Sequence, residues 1–134
     1  MNKRFLITAA FLGALSVLLG AFAAHKLKDI FEPSLLQVFE TAVKYQMYHS
    51  LALVAAGILY KEFPAKQIIW AGNLFLAGII LFSGSLYAIC IMKHQGISPG
   101  FAGPLTPVGG LCFISGWLLL AVGLSKKTSV SQQV

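Results

Sequence analysis

Ionisable and polar side chains are concentrated in one short stretch, FETAVKYQMYHS at 39–50. Within it, Glu40 and His49 are residue types that exchange protons, and Lys44 lies one turn after Glu40, so these two can neutralise one another. We expect a few polar side chains on neighbouring helices to lie at a similar depth. The candidate polar cluster comprises His25, Glu40, Lys44, Tyr45, Gln46, Tyr48, His49 and Tyr87.

Several kinds of chemistry are open to this cluster. Glu40, Lys44 and His49 could form the proton or polar-solute relay of a small transporter or channel. Glu40 with His49 could also be the acid and base of an enzyme acting on a lipid or quinone at the interface. These two lie on opposite edges of the polar arc, so a neighbouring helix would have to complete that site. The structural alternative is an amphipathic segment anchored at the membrane interface by tyrosines and charged groups.

Metal and cofactor chemistry is not predicted. His25, His49 and His94 lack a short chelating spacing such as H-x-x-x-H. Two histidines on adjacent helices could serve as axial haem ligands, but this is not favoured. Cys90 and Cys112 lie in apolar runs and are interpreted as small buried hydrophobes. We therefore predict no catalytic residues, no metal and no cofactor.

The composition indicates the environment of these groups. Of the 134 residues, 57% are hydrophobic and 10% are charged. The mean hydropathy of +0.81 is well outside the usual range of a soluble domain. This predicts an integral membrane protein with one domain. The formal charge of +6 lies mostly at the ends of apolar runs, which points to membrane lipids as partners and not to nucleic acid.

Four apolar runs predict an all-α integral membrane four-helix bundle at 1–124, with both termini on the same side. The spans are expected at about 5–24, 40–60, 68–92 and 105–124, followed by a polar tail at 125–134. The first run also resembles a secretory signal peptide, with a small-residue pattern at 21–23. Its length and its stripe of small residues favour retention.

The second helix must position the polar stretch. Its start is predicted at Pro33, a residue suited to the first helical position. If the span began only after His49, it would cover roughly 17 Å, far short of the hydrocarbon core. Most of 39–50 is therefore expected at or below the headgroups, as an amphipathic start to this helix. Polar side chains cover about half of the helix circumference, while Gln46 and Ser50 interrupt the apolar half.

Small residues in the apolar helices predict close helix packing. The candidate packing residues are Gly13, Ser16, Gly20, Gly84, Gly109, Gly110 and Gly116. Such faces would also let the chain form a homo-oligomer or bind another membrane protein. The connection GISPGFAGPLTP is expected to be irregular, with Pro107 in the first turn of the last helix. Trp70 and Trp117 are interpreted as interfacial or packing residues.

The distribution of basic residues predicts the orientation. One side would carry Lys3, Arg4, Lys61, Lys66, Lys126 and Lys127. The other would carry Lys26, Lys28, Lys44 and Lys93, together with three of the four acids. The positive-inside rule therefore favours cytoplasmic termini.

Four segments in one order carry a family resemblance. They are GAFAAHKLK at 20–28, FETAVKYQMYHSLAL at 39–53, FLAGIILFSGSLYAI at 75–89 and LTPVGGLCFISGWLLLA at 105–121. The chain resembles the YgdD-like family of small bacterial membrane proteins of unknown function, which has relatives in animals. The resemblance covers nearly the whole chain and implies a four-helix protein of the bacterial inner membrane with its first helix retained. It implies no activity, substrate or catalytic residue.

The first functional hypothesis is a non-catalytic membrane component that binds lipid or a partner. It rests on short loops, little soluble surface and the lack of a recognisable catalytic pattern. A small transporter or channel with a relay at Glu40, Lys44 and His49 is one alternative, and an interfacial lipid- or quinone-directed enzyme is the other. A transport path should leave polar residues through both leaflets, and only Asn73 begins to supply them in the cytoplasmic half.

Overall fold

The computed structural model describes residues 1–125, which form four long helices. The first helix is Lys3–His25, followed by a 3₁₀ turn at Leu27–Asp29, and the second helix is Pro33–Leu59. The third helix, Lys66–His94, joins the α-helices Lys66–Gly78 and Gly84–His94 through a π turn at Ile79–Ser83, and the fourth helix is Ala102–Ser125. The predicted all-α four-helix bundle is confirmed. Residues 126–134 of the predicted polar tail lie outside the described residues.

Local signals in the sequence set several helix ends. The side chain of Asn2 accepts a hydrogen bond from the N–H of Phe5 (3.3 Å) and so caps the first helix. Pro33 is the first residue of the second helix, a position whose backbone N–H has no acceptor within the helix. Just after the third helix, Gly96 has a φ of 72°, the left-handed conformation that commonly closes a helix.

The fourth helix begins earlier than the sequence predicts. The N–H of Ala102 bonds to the carbonyl of Pro99 (2.8 Å), so the irregular connection ends before the expected span at 105. Pro107 consequently lies in the second turn of this helix and not in the first. The helix tolerates it because the carbonyl left without a partner, that of Gly103, belongs to the exposed first turn.

Three helices are long and apolar enough to cross a membrane. They are Lys3–Asp29, Lys66–His94 and Ala102–Ser125, with mean hydropathies of 2.3, 2.3 and 1.9 over their most apolar windows. The second helix is not among them although it has 27 residues, because its polar stretch lowers its hydropathy. Its span at 40–60 therefore stays a prediction, which its length supports.

The start of the first helix and the end of the fourth helix lie at the same end of the bundle. The first helix packs on the second and the third packs on the fourth, while the second also contacts the third. The N–H of Asn2 donates to the carbonyl of Gly57 (2.8 Å), near the end of the second helix. Gly123, near the end of the fourth helix, faces Ile68 at the start of the third. The start of the first helix and the end of the fourth therefore lie on the same side, as predicted.

Glycines allow the helices to approach closely at several crossings. A Cβ on Gly72 would overlap the ring of Phe5, which brings the first and third helices together. At Gly109 a Cβ would instead overlap backbone atoms, those of Leu81 and Phe82 in the π turn. The fourth helix therefore meets the third backbone to backbone, as small residues permit in membrane helices.

Candidate functional site

The bundle divides the polar stretch of the second helix into an inner and an outer set. Gln46, His49 and Ser50 are buried, with 2%, 5% and 1% of their surface exposed. Glu40 is half-buried and Lys44 is exposed. The interior therefore accommodates uncharged polar groups and leaves the lysine outside, as expected where desolvation of a charge is costly.

Gln46 joins three helices through one side chain. Its Nε2 donates to the carbonyl of Leu12 on the first helix (3.0 Å), and its Oε1 accepts from the hydroxyl of Tyr87 on the third helix (3.0 Å). The Leu12 carbonyl accepts a second hydrogen bond from Ser16 (3.0 Å). Because an unpaired amide is costly in an apolar interior, these bonds favour one register of the three helices.

The imidazole of His49 is engaged on both ring nitrogens. Nδ1 lies 2.8 Å from the carbonyl oxygen of Tyr45, and Nε2 accepts from the indole N–H of Trp117 at 3.2 Å. The Nδ1–H tautomer satisfies both hydrogen bonds. The ring also stacks on Phe113, with 3.4 Å between centroids and 10° between planes. This geometry suits a packed, neutral imidazole whose nitrogens are occupied by protein groups.

Hydroxyl groups complete the interior. Ser50 donates to the carbonyl one turn earlier in its own helix (2.7 Å), and Ser83 in the π turn donates to the carbonyl of Ala42 (2.8 Å). Within residues 1–125, every buried side-chain nitrogen and oxygen has a hydrogen-bond partner. We call this set the closed polar network, and its members are Gln46, His49, Ser50, Ser83 and Tyr87.

The fold divides the predicted polar cluster. It brings Gln46 and Tyr87 into contact in the interior, and it buries His49 against the fourth helix. The remaining members lie at or near the surface, and they are His25, Glu40, Lys44, Tyr45 and Tyr48. In the described part of the chain, the eight residues therefore do not line one common pocket.

Two partners in the network were not identified from the sequence. Trp117 donates to His49 although its own side chain is 49% exposed, which its interpretation as a packing or interfacial residue did not include. Leu12 contributes its main-chain carbonyl, which no side-chain pattern reports. A weak signal for it is Ser16, because a serine inside a helix commonly bonds back to a carbonyl one turn earlier.

The predicted packing residues differ in what they contact. Gly109 faces the backbone of Phe82, and Gly116 faces the ring of Phe75. A Cβ on Gly20 would lie 3.5 Å from Val43, which is an ordinary contact. More room surrounds the remaining glycines, which are Gly13, Gly84 and Gly110.

A cleft opens at the end of the bundle opposite the start of the first helix. It has a volume of about 470 Å³ and lies between the start of the second helix and the end of the third. We call it the end cleft, and it is lined by Ile30, Glu32, Ser34, Leu35, Lys93 and His94. Within residues 1–125, no three His, Cys, Asp or Glu side chains are grouped so that they could hold a metal ion.

Comparison with known proteins gives the family. A family model described as a protein of unknown function (DUF423) matches residues 19–110. A UPF0382 membrane protein of Staphylococcus haemolyticus is 39% identical over 124 residues, which cover 92% of this chain and 97% of the relative. Relatives of the same name occur in Schizosaccharomyces pombe (40% identity over 115 residues, 85% and 95% covered) and Haemophilus influenzae (37% over 130 residues, 97% and 100% covered). No solved structure matches the chain.

These matches confirm the resemblance to a family of small membrane proteins of unknown function, with members in bacteria and in a eukaryote. The relatives are named membrane proteins, in agreement with the three helices that are apolar enough to cross a membrane. The chain is thus an integral membrane protein, and it belongs to the DUF423 family.

Proposed function

We propose that this protein is a non-catalytic component of the membrane that binds lipids or a membrane partner through its outer surface. The observation that carries this proposal is the closed polar network. Gln46 uses both ends of its amide on protein groups, and His49 uses both ring nitrogens. Groups that relay protons or receive a substrate need access to water or ligand, whereas these groups hold the helices together.

The outer surface favours the same function. Large apolar side chains are exposed on the outside of the described bundle, as expected where acyl chains or another helix cover them. The most exposed include Phe11 (74%), Ile80 (71%), Leu111 (63%) and Trp70 (61%). A surface of this kind supports binding within the membrane plane.

The location we propose is the bacterial inner membrane, with both termini in the cytoplasm. Four basic residues of the described chain, Lys3, Arg4, Lys61 and Lys66, lie at or near the end of the bundle where the first helix starts and the fourth helix ends. The other end also carries four basic residues, and the bias comes from Lys126 and Lys127, which follow Ser125 in the sequence and raise the first count to six. This arrangement supports the positive-inside orientation.

Flux measurements test the proposal. The full chain, reconstituted in liposomes that contain a pH-sensitive dye, should pass protons and small ions no faster than empty liposomes. Gln46→Leu should be equally silent, and its main effect should be on stability. A flux in the parent that Gln46→Leu or His49→Gln abolishes, in variants that still fold, would overturn the proposal in favour of a transporter.

Binding gives the second part of the test. The purified protein should retain a reproducible set of phospholipids, or a defined oligomer or partner, when it is moved from detergent into nanodiscs. A strictly monomeric particle that retains lipid no better than an unrelated four-helix membrane protein would contradict the proposal.

A further inference from the structure

The end cleft combines groups of both charges at the expected level of the lipid headgroups. The third helix is one of the apolar candidate spans, and Lys93 and His94 are its last residues. Glu32 directly precedes the second helix, on the opposite wall of the cleft. Charged side chains at the ends of membrane helices lie where headgroups carry their own charges.

Glu32 is oriented differently from an acid that caps its own helix. It occupies the N-cap position of the second helix, yet its side chain makes no capping hydrogen bond within the described chain. Glu32 instead lines the cleft together with Ser34. The carboxylate is thus available to accept hydrogen bonds from a bound cation.

The walls of the cleft are held by contacts beneath it. The thiol of Cys90 donates to the carbonyl of Leu35 (3.4 Å), which ties the end of the third helix to the start of the second. The His94 ring leans on Phe31, with 5.2 Å between centroids. Phe31 itself is buried in a cluster with Phe39. These contacts hold the start of the second helix against the end of the third, and so hold the two walls of the cleft together.

We propose that the end cleft binds a phosphate–ammonium zwitterion, namely the headgroup of an aminophospholipid. Lys93 and His94 would contact the phosphate, and the Glu32 carboxylate would accept hydrogen bonds from the primary ammonium. Ile30 and Leu35 give the cleft an apolar side along which the lipid chains begin. A volume of about 470 Å³ is in the range of roughly 300–1,000 Å³ that is typical of small-ligand sites. This inference rests on the proposed function, because it names the lipid chemistry that the protein would bind.

The test measures headgroup selectivity. The full chain is reconstituted in vesicles with equal amounts of phosphatidylethanolamine, phosphatidylcholine and phosphatidylglycerol, extracted in mild detergent, and its retained lipids are quantified by native mass spectrometry. Phosphatidylethanolamine should be retained about fivefold better than phosphatidylcholine, as expected for a partly exposed charge-assisted hydrogen bond that a quaternary ammonium cannot donate. Phosphatidylglycerol, which lacks the ammonium, should also be retained less.

Two variants separate the two ends of the headgroup. Glu32→Gln should bring the ratio of phosphatidylethanolamine to phosphatidylcholine close to one, while Lys93→Gln should lower the retention of all three lipids. The matched controls are Glu62→Gln, an exposed acid at the opposite end, and Lys28→Gln, an exposed lysine outside the cleft lining. Both controls should behave like the parent. Equal retention of the three lipids by the parent, or the same loss in the controls, would overturn the site.

Free headgroup distinguishes a lipid from a soluble ligand. Phosphoethanolamine added at millimolar concentration should leave the retained lipid in place, because it lacks the acyl chains. Its displacement of the lipid would overturn the lipid assignment and point to a soluble zwitterion. A parent that is silent in the flux assay but unselective for headgroups refutes only the end cleft, whereas a specific flux refutes the proposed function whatever the lipid result.

Discussion

The closed polar network and the end cleft use similar residue types for opposite purposes. In the network, amide, imidazole and hydroxyl groups find their partners inside the protein, and several of the bonds join different helices. In the cleft, a carboxylate, a lysine and a histidine line an open space at the helix ends. The first region lies among apolar helices and the second lies at the expected headgroup level.

The difference teaches how depth in the membrane selects the role of a polar side chain. At the level of the acyl chains a polar group must find a protein partner, so it comes to specify helix register. At the ends of the helices, water and headgroups compete for the same groups, so they remain able to bind a ligand. In this chain, the polar groups that hold the helices together and the polar groups that can bind a ligand therefore lie at different depths in the membrane.

Disrupting the close crossing of the third and fourth helices at Gly109, next to the closed polar network, should have the largest effect on stability. Gly109→Ala should lower the free energy of unfolding by about 3 kcal/mol, because the added methyl group meets the backbone of the π turn, which cannot move aside like a side chain. Unfolding in mixed micelles, followed by circular dichroism, measures this. Gly13→Ala is the control, since its Cβ would meet nothing within 4 Å. Equal stability of the two variants would show that the crossing is not close-packed.

Breaking the network at its centre should cost less. Gln46→Leu removes two hydrogen bonds and strands the Tyr87 hydroxyl, so we expect a loss of about 2 kcal/mol, against about 1 kcal/mol for Tyr87→Phe. The double variant should be more stable than the sum of the single losses predicts, by about 1 kcal/mol, because no stranded hydroxyl remains. Strict additivity would mean that the two side chains do not interact.

The hydrogen bond from the half-exposed Trp117 to the buried His49 tests where the closed polar network ends. Trp117→Phe retains an aromatic ring and removes the N–H donor, so the loss should be about 0.6 kcal/mol, the average for such bonds in a membrane protein. Trp70→Phe is the matched control, because Trp70 is exposed. If both variants unfold alike, His49 is held by its stacking on Phe113 and not by the indole.

The outer set of the polar stretch should be the least sensitive. Glu40→Gln and Lys44→Gln should each change the free energy of unfolding by less than about 0.5 kcal/mol, since Lys44 is exposed and Glu40 is only half-buried. The same unfolding assay tests this. A loss comparable to that of Gln46→Leu would place these residues within the network and remove the distinction between inner and outer polar groups.

Much of the fold follows from hydropathy and local signals. The apolar runs predict four helices, and Pro33 marks the start of the second because its ring fits the first helical turn. The fourth helix begins before its predicted start, because helical hydrogen bonding begins at Ala102 although the connection is rich in Gly and Pro. Propensity is a weak guide wherever tertiary packing decides.

The site was harder to predict, for a physical reason. Helical periodicity placed Gln46 on the apolar half of its helix and thereby marked it as exceptional. Its partners are the carbonyl of Leu12 and the hydroxyl of Tyr87, which are distant in sequence. A main-chain acceptor leaves no trace in residue type, so such a bond becomes visible only when the helices are assembled. The end cleft was missed likewise, because Glu32 and Lys93 belong to different helix ends.

The π turn at Ile79–Ser83 sets the rotation about the helix axis of the residues that follow it in the third helix. A π turn contains one residue more than an α-helical turn, and each residue rotates the following helix by about 100°. If that residue were deleted, the segment Gly84–His94 would rotate by roughly a quarter of a circle, and Cys90 and Lys93 would swing away from the second helix. One additional residue in the interior thus determines which side chains of Gly84–His94 point towards the second helix.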